Sequence, residues 1–181
     1  MRGFVVAIVG AESGGKTHLA AALRERLAAA GEACEVVGEV LREFCDAHGR
    51  TPLAHEQAGI AAEQTRRIAT AAQRSAVVVA DTTALMIAVY SDCVFGDTGL
   101  YDGAERVHRD GCDLTLLTAL DLPWQADGLQ RDGPHVQGPV DALVRAALSR
   151  AGVAFAVVCG QGDARVAAAW AAVGHARAAK G

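Results

Sequence analysis

Apolar residues fall in short blocks along this chain, separated by longer stretches of mixed polarity. Gly3-Phe4-Val5-Val6-Ala7-Ile8-Val9 and Ala76-Val77-Val78-Val79-Ala80 are continuous apolar runs, the pattern of strands buried on both faces of a parallel sheet. Leu114–Leu120 reads as a third such strand, and Cys34–Gly38 and Phe155–Cys159 as two shorter ones. The stretches between them carry helix formers, with breakers at their ends. They predict helices over Thr17–Ala30 (closed by Gly31), Glu39–His48, Leu53–Ser75, Thr82–Asp92, Gly103–Asp110, Pro139–Arg150 and Asp163–Ala179. Strands separated throughout by helical stretches predict an α/β fold, with about five parallel strands and helices on both faces. One segment breaks the rhythm. Asp121–Gly138 is polar, punctuated by Gly and Pro, and too long for a plain connection, so it reads as a lid over a site. With no repeat and no linker, residues 1–181 read as one domain.

In a sheet of this kind ligands bind beyond the carboxyl ends of the strands. The residues just past each strand are therefore informative. After the first comes Gly10-Ala11-Glu12-Ser13-Gly14-Gly15-Lys16-Thr17, which fits the phosphate-binding P-loop pattern G-x-x-x-x-G-K-[ST] between a strand and a helix. The glycines permit a tight turn that aims successive N–H groups at an anion. Lys16 supplies a positive charge for the β and γ phosphates, Thr17 a hydroxyl for Mg2+, and the first helix its positive dipole end. Only Lys16 and Lys180 among the 17 basic residues are lysines, which argues that Lys16 answers a specific need. The nucleoside triphosphate contacts are expected from Gly10, Glu12, Ser13, Gly14, Gly15, Lys16, Thr17 and His18.

After the second strand stand Glu39 and, one turn on, Arg42; after the third, Asp81-Thr82-Thr83; after the fourth, Asp121-Leu122-Pro123-Trp124. Acids at the ends of three strands are expected to face one cleft, the layout of phosphoryl transfer. Asp81 closes an apolar run as a Walker B acid does and is read as a Mg2+ ligand with Thr17; it also suits a helix N-cap. Glu39 is a candidate general base with Arg42 as substrate or ion-pair partner, or else a plain i, i+3 pair. In the lid, Arg131 could stabilise the transferring group, and Trp124 could stack on a substrate ring or anchor the loop.

Composition narrows the field. A net charge of −4 offers no basic surface for nucleic acid, and the apolar runs are far short of a membrane span, so neither is expected as a partner and the protein reads as cytoplasmic. Met1-Arg2 and the apolar run behind it imitate a signal peptide, but the P-loop needs that run as its strand. The five cysteines show no C-x-x-C spacing and read as buried free thiols; no structural metal is expected, and oligomeric state is left open.

Taken together, the P-loop, Glu39-x-x-Arg42, Ile60-Ala61-Ala62-Glu63-Gln64, Asp81-Thr82-Thr83 and Asp121-Leu122-Pro123-Trp124-x-x-Asp127-Gly128 resemble the ribosylnicotinamide kinase domain of NadR-type proteins, a branch of the P-loop nucleoside-kinase-like ATPases. The likeness runs over nearly the whole chain. It implies ATP- and Mg2+-dependent phosphorylation of the 5′-hydroxyl of nicotinamide riboside, a step of NAD biosynthesis. By that resemblance Lys16, Glu39, Asp81 and Arg131 are catalytic, and Glu39, Arg42, Trp124 and Asp127 bind substrate. Two departures stand out: Gly14 replaces a serine of the usual Glu-Ser-Ser-Gly-Lys, and Arg131 is the only lid arginine. The DNA-binding and adenylyltransferase segments of larger NadR proteins are not expected ahead of a chain read from its P-loop strand. Two other readings stay open: a kinase of another nucleoside or small alcohol, and a slow regulatory ATPase.

Overall fold

The computed structural model of the chain describes residues 2–125 and 133–180. Strands β1 (Phe4–Val9), β2 (Cys34–Val37), β3 (Val77–Asp81), β4 (Leu114–Thr118) and β5 (Phe155–Val158) form one sheet in the order β2-β3-β1-β4-β5. Every neighbouring pair is parallel. Helices α1 (Lys16–Ala29), α2 (Val40–His48), α3 (Ala54–Arg74), α4 (Ala84–Phe95), α5 (Tyr101–Gly111), α6 (Gln137–Arg150) and α7 (Gly162–Ala178) provide the crossovers and the cover. This is the predicted fold, and its chain order has a direct consequence. β1 is central, with β3 and β4 on either side, so the crevice beyond its carboxyl end opens where the P-loop begins.

Covering helices explain why β1 is apolar throughout. Val6 and Ile8 pack with Leu19, Leu23 and Leu27 of α1 and Val173 of α7. Val9 points the other way into a cluster with Leu85 and Val89 of α4 and Val144 and Leu148 of α6, and Val5 meets Ile68 and Ala72 of α3. Each of these β1 side chains is all but fully buried. At about 1.5–3 kcal/mol for each fully buried aliphatic side chain, β1 is firmly anchored and gives a rigid base for the loop behind it. α5 docks by a polar link: the His108 ring bonds Thr83 Oγ1 at 2.9 Å and Thr115 Oγ1 at 2.8 Å, and burial depresses its pKa to about 4.

Several boundaries differ from the sequence expectation. α2 begins at Val40 because Glu39 is extended (φ −78°, ψ 107°) and stands at the N-cap. α4 begins at Ala84 because Thr83 Oγ1 accepts the Leu85 N–H at 3.3 Å, and it runs on to Phe95, where Gly96 takes a left-handed φ of 66°. α6 starts at Gln137, two residues before Pro139, behind a single 3-10 turn over Pro134–Val136; proline is tolerated in a first turn, where its missing N–H has no partner to lose. The expected lid loop is therefore already helical by its last residues. None of the five cysteines forms a disulfide; Cys45 is buried as expected, but Cys93 and Cys159 are exposed. No helix among the described residues is long and apolar enough to cross a membrane.

Candidate active site

The P-loop turns sharply at the end of β1. Gly10 has φ +145° and Gly15 φ +72°, and Ser13 also takes a positive φ of 57°. Space is as tight as the backbone. A Cβ on Gly10 would lie 2.1 Å from Thr118 Oγ1, and one on Gly14 2.5 Å from the same oxygen and 3.0 Å from Ala11 O. Thr118, fully buried at the end of β4, thus explains why residue 14 is glycine here where the resembling family has serine.

Lys16 opens α1 and folds back over the loop, its Nζ donating to Gly10 O and Ala11 O at 3.0 Å each. Loss of solvation lowers its pKa, opposed by Glu39, Asp81 and Glu12, in that order. Three acids therefore surround one ammonium. Thr17 Oγ1 donates to Asp81 Oδ2 at 2.6 Å, while Asp81 Oδ1 is buried with no hydrogen-bond partner among the described residues. Asp81 is not the cap of α4, since Thr83 fills that position. A hydroxyl and a carboxylate with one buried lone oxygen are the oxygen donors that Mg2+ takes from a protein that leaves its remaining positions to water and phosphate. No cluster of three or more His, Cys, Asp or Glu suited to a metal occurs among the described residues, and such a site does not require one.

Glu39 completes the group from the β2 side. It makes no side-chain cap to α2, and its carboxylate, 10% exposed, lies 3.6 Å from Arg42 Nε. Burial raises its pKa above the usual carboxylate range against the pull of Lys16, with Asp81 adding to the rise and Arg42 opposing it. Gln64, fully buried on α3, binds the backbone on either side of Glu39: its Oε1 accepts the Val40 N–H at 2.8 Å and its Nε2 donates to Gly38 O at 3.1 Å. The neighbouring strand end is strained as well, Thr82 holding φ 76° with its N–H still bonded to Ile8 O at 3.1 Å.

These groups meet in a cavity of about 710 Å³ lined by Glu12 to His18, Glu39, Arg42, Tyr90, Leu122, Pro123, Gln125, Gln161 and Gly162. The structure thus brings together the P-loop, Thr17, Asp81, Glu39 and Arg42, and sets the exposed His18 on the rim. Trp124 does not line it, although its neighbours do; it is half-buried, with Nε1 buried and without a hydrogen-bond partner among the described residues. Asp127 and Arg131 lie outside the described residues. Asp121, expected at the cleft, is turned away: its carboxylate accepts the Gly160 N–H at 2.6 Å and Arg165 Nη1 at 2.7 Å.

Arg165 is a residue shaping this site that sequence reasoning missed. Buried on α7, it also donates to Gly14 O at 2.8 Å and Ala119 O at 3.2 Å, tying the P-loop to the ends of β4 and β5. Its signal was there: a lone arginine in the first turn of an Ala-rich helix directly after the last strand. Gln125 and Gln137, on either side of the undescribed residues, both bond the same loop, Ser13 Oγ donating to Gln125 O at 2.9 Å and Gln137 Nε2 to Glu12 O at 2.7 Å.

A family model described as an AAA domain matches residues 5–165. No curated protein sequence matches the chain. Among solved structures, the NadR protein in complex with NR is similar over 96% of this chain and 50% of that one, at 19% identity and TM-score 0.74. The NadR protein in complex with NAD and AMP-PNP is similar over 95% and 50%, at 19% identity and TM-score 0.72. A deoxyadenosine kinase from M. mycoides, with products dCMP and dCDP bound, is similar over 95% and 100%, at 12% identity and TM-score 0.66. At such identities the likeness is one of fold, that of P-loop kinases. This chain spans about half the length of the NadR structures it matches.

Proposed function

We propose, for a chain that belongs to the AAA-domain family, an ATP-dependent kinase of a nucleoside acceptor, with nicotinamide riboside as that acceptor and its 5′-hydroxyl as the site of transfer. The observation that carries this reading is Glu39. A buried carboxylate with a raised pKa faces the P-loop cavity from a different strand, beside Lys16 and within reach of Arg42, where it can take the proton of an acceptor hydroxyl. A base of that kind suits proton removal from an alcohol near neutral pH. The NadR structures contain NR in one case and NAD with AMP-PNP in another, which supports the choice of acceptor and of nucleotide.

In the mechanism the P-loop amides and Lys16 bind the β and γ phosphates and spread the charge that develops on transfer. Glu39 accepts the proton of the attacking hydroxyl, and Arg42 orients Glu39 and the acceptor. Thr17 and Asp81 would hold Mg2+, which supplies charge neutralisation of the phosphates when bound. We assign Arg131 to the transferring phosphoryl group and Trp124 and Asp127 to the acceptor, on the resemblance alone. A kinase of another nucleoside is the second reading, favoured by the likeness to the whole of a deoxyadenosine kinase.

The test is consumption of Mg·ATP against nicotinamide riboside, nicotinic acid riboside, the common nucleosides and water. Steep stimulation by nicotinamide riboside with a mononucleotide product by mass establishes the reading. Stimulation by a different nucleoside only moves the acceptor to that class, and indifference to all of them leaves a hydrolase.

A further inference from the structure

A second, smaller cavity of about 120 Å³ adjoins the first, sharing Glu12 and Tyr90 with it. It lies between α2, the start of α3, the end of α4 and the start of α6, with Leu41, Pro52, Phe95 and Val140 among its walls. Its volume is below the roughly 300–1,000 Å³ of a whole small-molecule site, so it holds one ring and not a complete nucleoside. Gln57, in the first turns of α3, also lines it. Only 4% of Gln57 is exposed, and its Oε1 is fully buried without a hydrogen-bond partner among the described residues. An amide oxygen left unpaired in a buried position costs about 1–3 kcal/mol, a cost that a ligand's N–H removes.

Charge selects among possible ligands. No Lys or Arg lines this cavity among the described residues, and its one carboxylate is Glu12. A carboxylate entering here would meet no counter-charge, would face Glu12, and could give Gln57 Oε1 no proton. A neutral primary amide satisfies both halves of the Gln57 side chain, donating to its oxygen and accepting from its nitrogen. We propose that this cavity receives the ring of the acceptor and that Gln57 is a specificity-determining residue, selecting acceptors that carry an uncharged amide over their carboxylate analogues. The ribose then occupies the opening shared by Glu12 and Tyr90, and its 5′-end points into the main cavity toward Glu39. Val94 and Phe95, exposed at the end of α4, form an apolar rim that the ring covers as it enters.

This inference rests on the kinase reading for the identity of the acceptor, but its test is binding, which does not depend on turnover. Calorimetric titration of the full chain with nicotinamide riboside and with nicotinic acid riboside is compared for the unmodified protein, Gln57→Leu and Gln57→Glu, with thermal unfolding reporting the folding of each. The unmodified protein is expected to bind the amide at least about 10-fold more tightly than the acid. Gln57→Leu should weaken the amide about 10–100-fold and bring the two affinities within about 3-fold. Gln57→Glu, which keeps the size and adds a negative charge, should weaken the acid further. Equal affinities in the unmodified protein, or a preference that survives Gln57→Leu, would overturn the assignment, as would failure of both ribosides to bind. Selective binding without phosphoryl transfer would leave the subsite standing and remove the kinase reading; transfer with an unchanged preference in Gln57→Leu would do the reverse.

Discussion

Lys16 and Glu39 carry opposite demands within one cavity, and each can be tested alone. Lys16→Ala removes the charge that the triphosphate meets and is expected to abolish turnover and ATP binding together. Glu39→Gln keeps the shape and loses the base, so kcat should fall about 10²–10⁴-fold while ATP affinity changes little. Equal losses in both quantities would contradict the base assignment. The raised pKa of Glu39 adds a pH signature. Its carboxylate is the active form, so the acid limb of kcat/KM should lie above the ordinary glutamate value of about 4.3. Arg42 favours the carboxylate, so Arg42→Ala should move that limb further up. Gly14 makes a steric prediction: Gly14→Ala places a Cβ 2.5 Å from Thr118 Oγ1, which forces the loop outward and should weaken ATP binding measured by titration.

The elements show how a loop is held in such a conformation. β1 is anchored on both faces, and the Gly14 carbonyl of the P-loop is bonded from the last helix by Arg165. Removing one member of a buried ion pair typically costs about 3–5 kcal/mol; Asp121 is partly exposed and can rehydrate, so Arg165→Ala should fall at the low end, with a loss of ATP affinity that a remote packing defect would not cause. His108 governs a different element, the docking of α5. It stays neutral in the fold down to about pH 4, whereas an unfolded histidine protonates near 6.5. Between those values the unfolded chain binds more protons, so the contribution is full above about pH 6.5 and is lost as pH falls toward 4, up to about 3 kcal/mol. Denaturant titrations over that window should show a shallower slope for His108→Gln than for the unmodified protein.

At the scale of the whole molecule, the nucleotide cavity draws on residues from the ends of β1, β2, β4 and β5, so a ligand there braces most of the sheet. Mg·ATP at a hundred times its Kd should raise stability by about 2.7 kcal/mol, a rise in Tm of roughly 5–10 °C for a domain of this size. Scanning calorimetry with and without Mg·ATP checks it, and Lys16→Ala should remove the shift. The same scale separates what was legible in the chain from what was not. Continuous apolar runs, the P-loop spacing and the acids at strand ends are local patterns with strict physical meaning, and they determined the five-stranded parallel α/β fold and the meeting of Lys16, Thr17, Asp81 and Glu39 by themselves. Spacing along a chain carries no information about a contact between residues 14 and 165, or between 40 and 64, because such pairs are chosen by how helices pack on the sheet. Only the tertiary structure decided that Arg165 bonds the P-loop, that Gln64 binds the backbone on either side of Glu39, that Asp121 turns away from the cleft, and that Gln57 is buried with an oxygen that has no partner among the described residues.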